Sequence, residues 1–227
     1  MSKVAEKAAA NLMVLIPTEK EIKLPHHQLH VTEEQLVTLY DFEPHIVHLQ
    51  CSTPFAGGRK VKVNDVGDVI VYDPSEADPR KNVVKSWKSG HTRSIRRIAL
   101  WESPKMPQII TASGDGTLRV FDMDGKLMRK LEGGHNGKVL CVGVSQGEPY
   151  EDTIVVSGGE DKTVRFWSLK HGKSRAHCVG HEFHINAVAF CVGIGGLKLV
   201  ASLDHSGEIR LWEYETGKMR RIIPTTL

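Results

Sequence analysis

A Gly-His pair recurs three times along the 227-residue chain, at Gly90-His91, Gly134-His135 and Gly180-His181. Each copy closes on an aromatic residue followed by a polar one: Phe121-Asp122, Trp167-Ser168 and Trp212-Glu213. These ends lie 30, 32 and 31 residues beyond their histidines, and successive Gly-His pairs are 44 and 46 residues apart. A period of that length means that one supersecondary unit is copied along the chain. Such a unit cannot bury both of its faces alone, so the copies must stack.

Inside each copy the hydrophobic pattern has period two, the signature of strands. Val139-Leu140-Cys141-Val142-Gly143-Val144 follows Gly-His, and an apolar run ending in small residues comes next, as in Ile109-Ile110-Thr111-Ala112-Ser113. Tight polar turns at Asp115-Gly116, Asp161-Lys162 and Ser206-Gly207 lead into Leu118 to Phe121, Val164 to Trp167 and Ile209 to Trp212. Turns at Asp124-Gly125, His171-Gly172 and Thr216-Gly217 then introduce a fourth, outer strand. A worn copy precedes these: Gly67 to Asp73 aligns with Gly116 to Asp122, and Pro44-His45 lies 46 residues before Gly90-His91.

On these residues the chain resembles the WD-repeat β-propeller family, in which each repeat supplies one four-stranded antiparallel blade. The resemblance covers residues 44 to 223 and implies an all-β propeller of about four blades, at about 44–89, 90–133, 134–179 and 180–223. Four copies leave two blade faces without a neighbour unless the ring closes small. An open or incomplete ring, completed by a second copy or by a partner, is therefore expected. Residues 1–43 fall outside the repeat and read as an irregular or short-helical extension. There Thr32-Glu33-Glu34-Gln35 has the form of a capping box, and a helix to about Tyr40 competes with a strand over Leu36 to Leu39.

The resemblance also assigns the shared polar residues. His135, Ser157, Asp161 and Trp167 match the family's buried hydrogen-bonded tetrad, in which the carboxylate, imidazole, hydroxyl and indole satisfy one another. The first copy keeps His91, Asp115 and either Thr111 or Ser113, but has Phe121 in place of Trp. The third keeps His181, Ser202 and Trp212, with Ser206 at the Asp position and Asp204 two residues earlier. A His, Ser and Asp set invites a reading as a catalytic triad. Its repetition at positions expected to be inside argues for a structural role, and no unrepeated nucleophile, acid or base set stands out.

Function is then expected in what differs between copies. By resemblance, the face on which partners bind includes Ser94, Arg96 and Gly114 in the first copy, where Arg93 and Arg97 join Arg96 in a local basic patch. Lys138, Leu140 and Glu160 supply it in the second, and His184, Asn186 and His205 in the third. This mixture suits a polar peptide or protein segment, and the implied role is a non-catalytic scaffold or adaptor in a multiprotein complex. The alternative is a ribonucleoprotein or chromatin component that uses the arginines as a nucleic-acid contact. Thirty Lys and Arg against 27 Asp and Glu give a net charge of only +3, which lends that alternative no support.

Other chemistries find little footing. Cys51, Cys141, Cys178 and Cys191 form no Cys-x-x-Cys pair. Pro25-His26-His27-Gln28-Leu29-His30, with His45 and His48 beyond it, is rich in histidine but has no carboxylate at ligand spacing, so no metal site is assigned. The glycines at 193, 195 and 196 and at 158 and 159 lack the Lys-Ser or Lys-Thr of a phosphate-binding loop, so no cofactor is expected. No apolar run reaches the length of a membrane span, and a cytoplasmic or nuclear location is expected.

Overall fold

The computed structural model describes residues 22–24, 27–30, 50–55, 58–64, 66–78, 81–103, 106–131, 134–145, 153–193 and 198–223. All regular structure among them is β-strand. The extension supplies β1 (Ile22–Leu24) and β2 (His27–His30). The first sheet is β3 (Gln50–Phe55), β4 (Arg59–Val63), β5 (Asp68–Tyr72) and β6 (Val83–Lys88). The second is β7 (Ile95–Trp101), β8 (Gln108–Ser113), β9 (Leu118–Phe121) and β10 (Leu127–Leu131). The third is β11 (Val139–Val144), β12 (Ile154–Gly159), β13 (Val164–Ser168) and β14 (Ser174–Cys178), and the fourth repeat gives β15 (Ile185–Gly193), β16 (Lys198–Asp204), β17 (Ile209–Glu213) and β18 (Met219–Ile223). Each repeat is an antiparallel meander, so four sheets form in chain order, one for each copy of the repeat.

Burial follows the alternation of the sequence. Every residue of β8 and β12 is buried, because these strands are covered on both faces. Val61, Val69 and Val71 of the first sheet pack with Ile109 and Phe121 of the second. Ile110, Ala112 and Val120 pack with Val139, Val142 and Val155 of the third, whose Val156 and Phe166 meet Val188, Val200 and Trp212 of the fourth. Full burial of each such side chain is worth about 1.5–3 kcal/mol, and it is obtained only between sheets. The extensive inter-sheet contacts join consecutive repeats, chiefly through β3 on β7, β7 on β11 and β11 on β15.

One turn residue locks each outer strand to the next repeat. Gly125 lies against the Trp87 ring, Gly172 against Leu131 and Arg129, and Gly217 against Ala176 and Cys178. A Cβ at Gly125 or Gly217 would strike those side chains, and both residues hold positive φ, 81° and 67°. The Lys85–Asp124 ion pair, 2.7 Å, joins the first two sheets at the same level.

The extension goes beyond what its sequence signals. β1 and β2 form a hairpin, and β2 pairs with the end of β15 through His30 with Val192 and Leu29 with Gly193, extending the fourth sheet to six strands. A strand edge presents a row of unpaired N–H and C=O groups, and pairing is what satisfies them. The expected helix or strand between Thr32 and Tyr40 lies outside the described residues.

Candidate functional site

The third sheet holds a closed polar network. His135 Nδ1 is 2.9 Å from Asp161 Oδ1, His135 Nε2 is 2.8 Å from Ser157 Oγ, and Trp167 Nε1 donates to the same Oγ at 2.9 Å. Since the indole N–H takes one lone pair of the hydroxyl, the Ser157 proton goes to Nε2, and Nδ1–H donates to the carboxylate. Burial works to raise the Asp161 carboxyl. Bonds from His135, the Asn136 N–H and Thr163 overcome it and hold the group far below the ordinary carboxylate range.

The other two copies reach the same end with different parts. In the second sheet His91 engages Asp115 at 2.9 Å and Thr111 Oγ1 at 2.9 Å, so Thr111 takes the hydroxyl position. Ser113 instead caps the carbonyls of Arg93 and Ser94. Phe121 has no N–H to give, and Thr111 Oγ1 lies 3.4 Å from the Arg119 carbonyl. In the fourth sheet Trp212 Nε1 and His181 Nε2 both meet Ser202 Oγ at 2.7 Å, while His181 Nδ1 meets Asp204 Oδ2 at 3.0 Å.

Asp204 reaches the imidazole from a different backbone position than Asp161 does. By strand register it stands where the third sheet has Gly159, since Ile185 pairs Asp204 as Val139 pairs Gly159. A Cβ on Gly159 would sit 2.7 Å from His135 Nδ1. A side chain there is therefore aimed at the imidazole, and the fourth repeat uses it. Glu208 Oε1 also comes within 3.7 Å of His181 Nδ1, which gathers His181, Asp204 and Glu208 into a potential metal triad. Their donors are already engaged: Asp204 holds His181 and Ser206, and Arg210 Nε holds Glu208 at 2.5 Å.

The histidine side chains of these networks are 0%, 0% and 1% exposed. Ser157 and Ser202 are fully buried, so no substrate can reach either hydroxyl without parting the sheets.

Above the networks the three repeats present a common rim. The residue before each turn donates its N–H to the residue three beyond the histidine: Gly114 to Ser94 at 2.9 Å, Glu160 to Lys138 at 2.9 Å, and His205 to His184 at 3.0 Å. The innermost strands bulge at one residue each. Register skips Arg96 between Ile95 and Arg97, Leu140 between Val139 and Cys141, and Asn186 between Ile185 and Ala187. A bulge re-aims the extra side chain out of the ladder, and nothing in the hydrophobic alternation marks it.

The rim is continuous across the second and third sheets. A Cβ added at Gly114 would lie 3.5 Å from Arg93 Cβ and 3.7 Å from Lys138 Cδ. Lys138 Nζ pairs with Glu160 Oε1 at 2.6 Å and holds that carboxyl below its ordinary range, with the charge of Arg96 assisting. On the fourth sheet the His184 and His205 rings stack at 4.5 Å, and Asn186 Nδ2 reaches His205 Nδ1 at 3.5 Å. Burial lowers the His184 pKa, and the neighbouring His205 lowers it further. Arg97 departs from its group: it pairs in register with Ala112, is half-buried, and its charge acts on the buried Cys141 thiol. The exposed arginines of the rim are Arg93 and Arg96.

Comparison with known sequences bears on the repeats. The sequence model of the WD domain, G-beta repeat, matches residues 81–122 and 125–168. Those two stretches of the chain carry WD repeats. It is 34% identical over 112 residues to Autophagy-related protein 16 of Arabidopsis thaliana, covering 49% of this chain and 20% of that protein. It is 33% identical over 113 residues to Polycomb protein EED of Chaetomium thermophilum, covering 47% and 19%. With Small ribosomal subunit protein RACK1y of Oryza sativa subsp. japonica it shares 35% identity over 130 residues, covering 56% and 35%. The chain thus spans a fifth to about a third of the length of these relatives. The two matched WD repeats fall on the stretches that build most of the second and third sheets.

Of the histidine-rich extension, His27 and His30 lie on β2, and His26, His45 and His48 lie outside the described residues. The contribution of Asp204 was legible as a carboxylate two residues from Ser206. Its register position, which decides the geometry, was not.

Proposed function

We propose that this WD-repeat chain is a non-catalytic interaction scaffold whose rim over the second, third and fourth sheets takes a polar protein or peptide segment. One observation carries the reading: backbone geometry repeats at the rim while chemistry does not. Ser94, Lys138 and His184 occupy one position, Arg96, Leu140 and Asn186 a second, and Gly114, Glu160 and His205 a third. Selection for stability alone gives no reason for that spread of charge, amide and imidazole on a shared frame.

Nucleic-acid binding has less behind it. The Lys138–Glu160 pair neutralises part of the rim, and no continuous positive stripe runs across the three repeats. The test is an affinity capture that compares the parent with Arg93→Glu/Arg96→Glu and with His135→Ala. Proteins lost from the rim variant and kept by the destabilised His135→Ala variant support the rim. Capture sets that are equal in parent and rim variant remove it.

A further inference from the structure

A second surface lies at the opposite end of the strands, where β13 turns into β14. A groove of about 450 Å³ opens there, lined by Ser168, His171, Lys173 and Arg175. We propose that it binds a phosphate group presented by a phosphorylated peptide.

Among the described residues nothing compensates the charge of this groove. His171, Lys173 and Arg175 are exposed, no carboxylate lines the groove among the described residues, and neither Lys173 nor Arg175 forms an ion pair there. Ser168 Oγ accepts the His171 backbone N–H at 3.2 Å, and both residues line the groove.

Beneath the turn, a Cβ added at Gly172 would lie 3.4 Å from Arg129 Cδ, and Arg129 Nη1 is buried with no hydrogen-bond partner among the described residues. A buried, unpaired guanidinium nitrogen costs free energy until an acceptor arrives.

The equivalent junctions make the contrast. Between the first and second sheets the turn glycine packs on Trp87, and Asp124 beside it neutralises Lys85. Between the third and fourth it packs on Ala176. Of these three junctions, the one between the second and third sheets has arginine underneath and a cationic turn above.

The ligand follows from the count and spread of donors. A phosphate ester carries close to two negative charges and three acceptor oxygens, which suits separate imidazole, ammonium and guanidinium donors plus a hydroxyl. A carboxylate offers two oxygens and one charge. A nucleic acid needs cations spaced along several phosphates, and this cluster occupies a single turn.

The test uses a short phosphoserine peptide, its unphosphorylated and Asp-substituted forms, inorganic phosphate, and a single-stranded RNA. Binding is read by fluorescence anisotropy and by amide shifts in two-dimensional NMR. The phosphopeptide is expected to shift amides of residues 168–175, to be competed by inorganic phosphate, and to bind about tenfold more weakly to Lys173→Ala/Arg175→Ala. Arg93→Ala/Arg96→Ala, at the other end of the strands, should bind it as the parent does. That control separates this site from the rim. Lys173→Gln alone gives a second measure should the double variant lose its fold. Equal binding of phosphorylated and unphosphorylated peptides, equal binding of the Asp form, shifts confined to other residues, or binding of RNA alone would each overturn the assignment.

Discussion

Removing Asp204 tests the claim that the fourth repeat builds its network from a different backbone position than the third. Asp204 Oδ2 accepts from His181 Nδ1 at 3.0 Å, and Oδ1 takes the Ser206 N–H at 2.9 Å, the Ser206 hydroxyl at 2.6 Å and the Glu208 N–H at 3.1 Å. Ser206 is exposed and Glu208 half-buried, so their donors can turn to water at little cost. His181 cannot, since its side chain is 1% exposed. Asp204→Ala therefore leaves a buried N–H unmade, at about 1–3 kcal/mol, and forfeits the extra strength of a charged acceptor. At about 2–4 °C per kcal/mol for a chain of this size, a loss of about 2–3 kcal/mol lowers Tm by about 4–12 °C. The paired variant Asp204→Gly/Ser206→Asp recreates the Gly159 and Asp161 arrangement and is expected to recover most of that loss. Thermal melts followed by circular dichroism at neutral pH read both. A parent-like Tm for Asp204→Ala, or a paired variant no more stable than Asp204→Ala, would refute the register argument.

Trp167→Phe should cost about 1–2 kcal/mol in urea unfolding, since Ser157 loses the indole donor and a small void opens, while Phe121→Leu, which breaks no network bond, should change only packing. The urea midpoint should fall with acid in two stages. Burial holds His91 and His181 below the ordinary imidazole value, so the unfolded chain takes up protons first and stability drops as pH falls below about 6.5. Asp115, Asp161 and Asp204 are depressed despite burial, by their hydrogen bonds, and their contribution is lost below about pH 4; a midpoint unchanged between neutral and mildly acid solution would contradict the first stage. Size-exclusion chromatography with light scattering should show association of the chain, because among the described residues the extensive contacts join consecutive sheets; a well-behaved monomer would favour a small closed ring.

The repeat was legible because burial between sheets imposes it. Every sheet needs the same inward residues, so Ile109, Val155 and Val200 recur in phase and show in the primary structure. The His, Ser and Trp of the networks were legible for the same reason. Three things were not, and each depends on strand register rather than composition. Thr111 and Ser113 are both hydroxyls on β8, and only pairing decides which meets His91 and which caps Arg93 and Ser94. Arg96 and Arg97 are adjacent in sequence, yet the bulge puts the first on the rim and returns the second to the ladder beside Ala112. Arg129 reads as an ordinary surface residue of an outer strand until the Gly172 turn of the next repeat is laid over it.

The bulge also explains how stability and recognition coexist within a few residues of each other. Ile95, Val139 and Ile185, one residue before it, are buried and tie the strand to its neighbour. Without the bulge, strict alternation would put the following residue on the opposite buried face, where an arginine or an asparagine would need a partner. With it, the side chain leaves the ladder, and its identity is freed from the packing on both sides. Arg96, Leu140 and Asn186 can then differ in charge, size and hydrogen-bonding capacity while the His91, His135 and His181 networks beneath them keep the same bond lengths to within a few tenths of an ångström. On this frame substitution at the rim changes what is bound, and substitution one residue earlier changes whether the sheet holds.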